Sequence, residues 1–243
     1  LVGSEMCIRD SLTYTNEGMP IGAFWGYKTD GLIQTQEQLN AVKRADFQPN
    51  AELGDVLFVD TNGDGKLDSS DRCMIGNPIP DIIYGINMGM AWKGFDLNLQ
   101  FGGTIGNQIF NAMRYYTYFP NDITNKDRAL MNYWTPNNTN TDIPRLTATD
   151  VNDNDRFSDM YVENGTYFRL RNAQLGYTLP ASLTQRIKLQ KVRFYVSGQN
   201  LFTISSYSGM DPEVGQSSSL SRGIDYGIYP QNISFTGGIN VTF

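Results

Sequence analysis

From Ile82 to Gly103 the sequence changes character at every second residue, a pattern that only an extended chain with two unlike faces holds. Ile82, Tyr84, Ile86, Met88 and Met90 fall on one face, and Ile83, Gly85, Asn87, Gly89 and Ala91 on the other. After a tight turn at Trp92-Lys93-Gly94, Phe95, Leu97, Leu99 and Phe101 alternate with Asp96, Asn98, Gln100 and Gly102. Period and turn chemistry together predict a β-hairpin. The same period runs through Gly165–Leu179 and Lys191–Ile204, joined by PASLTQRIKLQ, and through Ile233–Phe243. In the first of these, Phe168 and Leu170 have the opposite parity to Leu175, Tyr177 and Leu179, and a bulge near Asn172 would reconcile them.

The connections fall into two classes. The turn after Ala91 and the link after Leu179 are short, whereas about 20–80, 104–164 and 205–231 are long. Successive antiparallel strands turn at alternate ends, so all long loops should leave one side and all short turns the other. Transmembrane barrels of the outer membrane have this asymmetry. Gly and Asn fill the polar faces, and Trp92, Phe95, Tyr177 and Phe243 fall near strand ends, where an interfacial girdle would lie. No stretch reaches the roughly 20 apolar residues of a membrane helix, which leaves barrels untouched. A last strand ending on Phe243 is similar to the signal read by barrel-assembly machinery, which would place the C-terminus and short turns in the periplasm and the long loops outside. The fold expected is all-β: the C-terminal portion of a large antiparallel transmembrane barrel, about five to six strands. A secreted, calcium-stabilised β-sandwich that binds carbohydrate shows the same period and stays open as the alternative.

Composition closes other routes. The chain has no His, which excludes imidazole zinc sites and His-dependent nucleophile relays. A formal charge of −6 argues against a nucleic-acid partner. Two cysteines, Cys7 and Cys73, imply no disulfide framework. The opening LVGSEMCIRDS, residues 1–11, is expected to be a non-native, adapter-like leader, with 12–243 the C-terminal part of a longer protein.

One loop carries candidate metal chemistry. In VDTNGDGKLDSSDRC, Asp60, Asn62, Asp64, Lys66, Asp68 and Asp71 occupy positions 1, 3, 5, 7, 9 and 12 of a calcium loop, with Gly65 at 6 and Leu67 at 8. Lys66 would give its main-chain carbonyl. Clustered carboxylates repel unless a hard cation neutralises them, so a structural Ca²⁺ is expected, with an unmetallated loop of Asx turns the alternative, and no organic cofactor. Asp71 stands where an EF-hand has Glu, which would weaken binding. A short strand, GDVLFV, precedes the loop and IGNPIPD follows it, so no helix pair and no calcium sensor is expected.

Other features carry less. Gly102-Gly103-Thr104 and Gly237-Gly238 precede no helix and are not phosphate loops. Asp153 and Asp155 lie in a polar run expected to be solvated. NQIFNAMRYYTYF and NKDRALMNYW are expected to form short helices; their Tyr115, Tyr116, Tyr118 and Trp134 are expected to pack the loop, with stacking on sugar or partner the alternative.

Five segments in order, Glu17–Ala41, Gly54–Gly103, Asn164–Pro180, Val192–Glu213 and the terminal GGINVTF, resemble the C-terminal part of SusC/RagA-type TonB-dependent outer-membrane transporters. The resemblance implies a 22-stranded barrel around an N-terminal plug with a TonB box, neither of which lies in this sequence. It implies a SusD-like surface lipoprotein as lid, TonB as energy source, contact with outer-membrane lipid, and import of oligosaccharides or peptides without enzymatic chemistry. The family's metal loop matches Asp60, Asn62, Asp64, Lys66, Asp68 and Asp71.

Overall fold

The computed structural model describes residues 12–118, 125–215 and 221–243. The expected leader, residues 1–11, lies outside the described residues. In chain order the strands are β1 (Thr13–Tyr14), β2 (Ala23–Gly26), β3 (Thr29–Leu32), β4 (Val56–Phe58), β5 (Cys73–Gly76), β6 (Ile82–Trp92), β7 (Phe95–Ile105), β8 (Gln108–Asn111), β9 (Val162–Asn164), β10 (Tyr167–Thr178), β11 (Lys191–Ser205), β12 (Ile224–Asp225) and β13 (Ser234–Thr242). The helices are α1 (Gln36–Arg44), α2 (Ala112–Thr117) and α3 (Ala181–Thr184). The chain forms two compact units. One takes in the chain up to Ile79, Gln108–Glu163 and Val214–Ile228, and the other Pro80–Asn107, Asn164–Glu213 and Tyr229–Phe243.

The second unit is a five-stranded antiparallel sheet in the order β13-β11-β10-β7-β6. The hairpin expected over Ile82–Gly103 is present, with a turn of two residues because Trp92 still pairs with Phe95. Lys93 (φ 49°) and Gly94 (φ 88°) both take positive φ, the type I′ geometry that matches strand twist. The bulge expected near Asn172 falls at Arg171, where the register shifts between Leu170 and Asn172. Short connections and the end of β13 share one edge of the sheet, since Trp92↔Phe95, Thr178↔Arg193 and Lys191↔Thr242 are paired there.

Register converts alternation into rows across the sheet. On one face run Ile86-Phe101-Leu170-Phe202, Met88-Leu99-Ala173-Gly198-Phe235, Met90-Leu97-Leu175-Val196-Gly237 and Trp92-Phe95-Tyr177-Phe194-Ile239. On the other run Gly85-Gly102-Arg169-Thr203, Asn87-Gln100-Asn172-Gln199-Ser234, Gly89-Asn98-Gln174-Ser197-Thr236 and Ala91-Asp96-Gly176-Tyr195-Gly238. Every row of the first face is apolar and every row of the second is polar or small. Aromatics bracket the apolar band: Phe95 and Tyr177 at the turn end (centroids 4.6 Å apart), Phe101 and Phe168 at the other (5.2 Å). From the Trp92 row to the Tyr84 row is eight residues, which at ~3.3 Å each and a tilt of about 40° spans roughly 20 Å, close to the lipid-facing band of a barrel.

The first unit holds the sequence that the alternating pattern leaves as loops. β2 lies between β1 and β5, β3 pairs with β4, and β8 lies between β12 and β9, with β12 parallel to it. One core gathers Phe24, Ile75, Phe110 and Tyr161, a second Leu32, Phe47, Val56, Phe58 and Trp134, and a third Ile33, Leu39 and Ala51. α1 is held by a capping box in which the Thr35 hydroxyl accepts from Gln38 N–H and the Gln38 amide oxygen accepts from Thr35 N–H.

Candidate functional site

The acidic loop leaves β4, makes a single 3-10 turn over Ser69–Asp71 and returns into β5, so the helix pair of a calcium sensor is absent here. Gly63 and Gly65, both at φ 77°, turn their N–H groups onto the two Asp60 oxygens at 2.6 and 2.8 Å. Asn62 Oδ1 accepts from Asp64 N–H, Asp64 Oδ1 from Lys66 N–H, and Asp68 Oδ1 from Ser70 N–H. Asp71, fully buried, accepts from Thr61 N–H (3.0 Å) and Asp68 N–H (2.9 Å). Leu67 packs against the core of Val56 and Phe58, as an apolar eighth position should.

The six sequence-predicted positions are thus brought into one loop, each carboxylate accepting main-chain N–H bonds. Hydrogen bonds, first of all from Gly65 N–H, hold the Asp60 carboxyl below the usual carboxylate range, and Ser70 N–H does the same for Asp68. Among the described residues no group of three or more His, Cys, Asp or Glu side chains is gathered as a metal site. Carboxylates, an amide oxygen and a main-chain carbonyl remain the donor set of a hard cation.

Of the four loop aromatics expected to pack, three do. Trp134 is core, its Nε1–H donating to Gln34 Oε1 at 2.8 Å. Tyr115 packs on Phe157 and Tyr161, and burial pushes its hydroxyl up to about 12. Tyr118 lies half-buried under the Arg114 guanidinium, so Tyr116, 51% exposed, is the one of the four with an open ring. The run Asp150–Asp155 is not a solvated stretch. Asp153 faces solvent beside Arg156, but Asn152 and Asn154 are buried, and burial raises the pKa of Asp150 and Asp155. The reason is that β4 needs partners along one edge, and this run supplies them.

The polar face of the large sheet carries a second constellation, unmarked in the sequence. Arg169 is 2% exposed; Nε donates to Thr203 Oγ1 (2.8 Å), Nη1 to Glu213 Oε2 (2.9 Å) and Nη2 to Asp211 Oδ1 (2.5 Å). Arg171 donates to Glu213 Oε1 and to the Tyr167 hydroxyl, both at 3.1 Å. Asp211 also accepts from Gln231 N–H (2.9 Å) and Glu213 N–H (2.8 Å). Since Arg169 and Thr203 share a polar row, the segment carrying Asp211 and Glu213 lies over that face. Burial works against ionising Asp211, but these donors outweigh it and keep its carboxyl below the usual range. Nearer the turn end, Arg193 and Asp96 form a bidentate pair (2.9 and 2.5 Å) that passes over Gly176, where a Cβ would lie 2.6 Å from Asp96 Oδ1. The sheet is thus oily on one side and carries paired charges on the other.

No protein-family model matches the chain. It is 39% identical over 237 residues to TonB-dependent receptor P3 of Formosa agariphila, covering 93% of this chain and 22% of that protein. TonB-dependent receptor SusC of Bacteroides thetaiotaomicron is 29% identical over 198 residues, which is 81% of this chain and 18% of that protein. The RagAB peptide importer in its open-open state superposes with a TM-score of 0.71 at 25% identity, over 96% of this chain and 24% of the matched chain. The chain therefore spans about a fifth to a quarter of the length of the proteins it matches. Sequence and fold agree over nearly its whole length, and the chain belongs to the SusC/RagA-type TonB-dependent receptors of the outer membrane, of whose β-barrel it is a portion.

Proposed function

We propose that the receptor to which this chain belongs is a non-enzymatic importer of oligosaccharides or peptides, energised through TonB and lidded by a SusD-like lipoprotein. The observation that carries this is the division of the sheet into apolar and polar rows. A secreted β-sandwich would pack its apolar face on a second sheet, yet Met88, Val196 and Phe235 are 51%, 60% and 78% exposed on theirs. On this reading the apolar rows face lipid and the polar rows face the lumen. The short turns and C-terminus are periplasmic, and the long excursions are extracellular, where they meet lid and cargo. Deleting the complete reading frame in its host, with the neighbouring genes intact, should abolish uptake of at least one oligosaccharide or peptide. Undiminished uptake of every cargo across a broad panel would remove the importer reading.

The acidic loop supports a structural Ca²⁺ held by Asp60, Asn62, Asp64, Asp68, Asp71 and the Lys66 carbonyl. The ligand spacing favours it. Calcium binding measured by calorimetry on the full receptor should fall at least tenfold with Asp60→Asn. Equal calcium uptake by the two proteins would refute the assignment.

A further inference from the structure

The apolar face is not smooth. Across β10, β11 and β13 it dips into a groove of about 380 Å³. Three small residues on three adjacent strands make the floor: Ala173 on β10, Gly198 on β11 and Gly237 on β13. Leu97, Leu175, Val196 and Phe235 stand around it as walls. Leu201, from the irregular stretch of β11 beside the bulge, leans over Gly198 and closes one end, within 2.6 Å of where a Cβ would lie. Gly237 is different: a Cβ there meets nothing nearer than Tyr195 O at 3.9 Å, so the space above it belongs to the groove. A dry cavity of roughly 150 Å³ accepts a benzene; a trough more than twice that size accepts a stretch of hydrocarbon chain.

We propose that this groove is a seat for one acyl chain of a glycerophospholipid. The inference rests on the orientation argued above. The groove is continuous with the lipid-facing surface, so the molecules that meet it first are lipids. Its two rows, Met90-to-Gly237 and Met88-to-Phe235, lie one and two rows inward of the aromatic row at the turn end. With two residues per row that is about 5 to 10 Å below the interface. A lipid of the turn-side leaflet reaches it with the upper part of its tail, and the periplasmic leaflet of an outer membrane is phospholipid. Between an apolar wall and a lipid tail there is no hydrophobic driving force. What fixes one chain here is dispersion contact on three sides, which a flat stretch of barrel wall does not give.

The test uses the full receptor, extracted from outer membranes in mild detergent and weighed by native mass spectrometry. The expected result is one retained phospholipid per barrel, falling at least fivefold with Gly237→Leu, which fills the trough. Ala173→Leu fills it from the neighbouring strand and should act alike, so the conclusion does not hang on the folding of one variant. Heat-modifiable migration and outer-membrane fractionation report that each variant is folded and inserted. No retained phospholipid, equal retention in the filled variants, or a retained mass of lipopolysaccharide would each overturn the proposal. A receptor missing from the outer-membrane fraction would instead defeat the barrel reading on which it rests.

Discussion

Replacing Arg169 by Ala should open the segment around Asp211 and Glu213 while leaving the barrel closed. Arg169 is the positive centre of a cluster in which two arginines face two carboxylates, and its own side chain and that of Asp211 are almost wholly buried. Taking away one partner of a buried pair typically costs about 3–5 kcal/mol, because the charge left behind keeps its desolvation penalty and loses its compensation. Asp211 would retain the Gln231 and Glu213 N–H groups, and Glu213 would retain Arg171. We therefore expect the lower end, about 3 kcal/mol, spent on local opening. That raises the open population by roughly two orders of magnitude, and limited proteolysis between Tyr207 and Glu213 should speed up by a similar factor. Migration of the unheated protein on gels should stay that of a folded barrel. Unchanged cleavage in Arg169→Ala would show that the segment is held by something else.

The same cluster has a defined pH response. The Asp211 carboxyl sits below its ordinary value in the folded protein, so its contribution is complete above the unfolded carboxylate pKa and is lost as pH falls through the lowered one. Cleavage of the wild-type segment should therefore be flat from pH 8 to about 5. Asp211 and Gln231 lie on the two arms of the excursion that leaves β11 and returns to β13, and one carboxylate ties both to the sheet. On the importer reading, it is a fixed feature of the passage rather than a loop moving with cargo.

How much of this was legible in the sequence follows from what a periodic pattern encodes. Alternation fixes which side chains share a face, so the hairpin, the apolar face of each long strand and a bulge within one residue of Arg171 could be read from parity alone. It does not say what a polar residue touches. Arg169 is one polar position among many in its strand, and its partners stand 42 and 44 residues away. α1 escaped for a related reason: of its nine residues only Leu39 is buried, so no apolar stripe marks it. β12 pairs in parallel with β8 through two residues, too few to carry a period. The spacing of the acidic loop was plain because its residues are local in sequence.

Asn154→Ala should loosen β4 and the start of the acidic loop more than any surface change in the same unit. β3 pairs along one side of β4, and the main-chain groups on its other side, Val56 N–H, Val56 C=O and Phe58 N–H, are met by side chains acting as a substitute strand. Gln48 donates to Val56 O and accepts from Phe58 N–H at 2.9 and 3.0 Å. Asn154 Oδ1 accepts from Val56 N–H and from Asn152 Nδ2, both at 2.8 Å, and its Nδ2 donates to Asp55 Oδ1 (3.1 Å) and Asp150 Oδ1 (3.0 Å). All four bonds of the amide are made, at 2% exposure. Truncation would not cost all four equally. Asp55 keeps the Arg145 guanidinium and Asn152 keeps Val56 O, so the groups left worst off are Val56 N–H and one oxygen of Asp150. At about 1–3 kcal/mol for each buried group left unsatisfied, the expected loss is roughly 3–4 kcal/mol. Amide exchange at Val56 and Phe58 in the full receptor should then quicken by about two to three orders of magnitude, with exchange in β10 and β11 unchanged. Protection at Val56 equal to wild type would mean that the substitute strand is not what holds β4. Asp60 follows β4 by two residues, so on the proposal that the loop holds Ca²⁺ the same variant should weaken that binding without removing a proposed ligand.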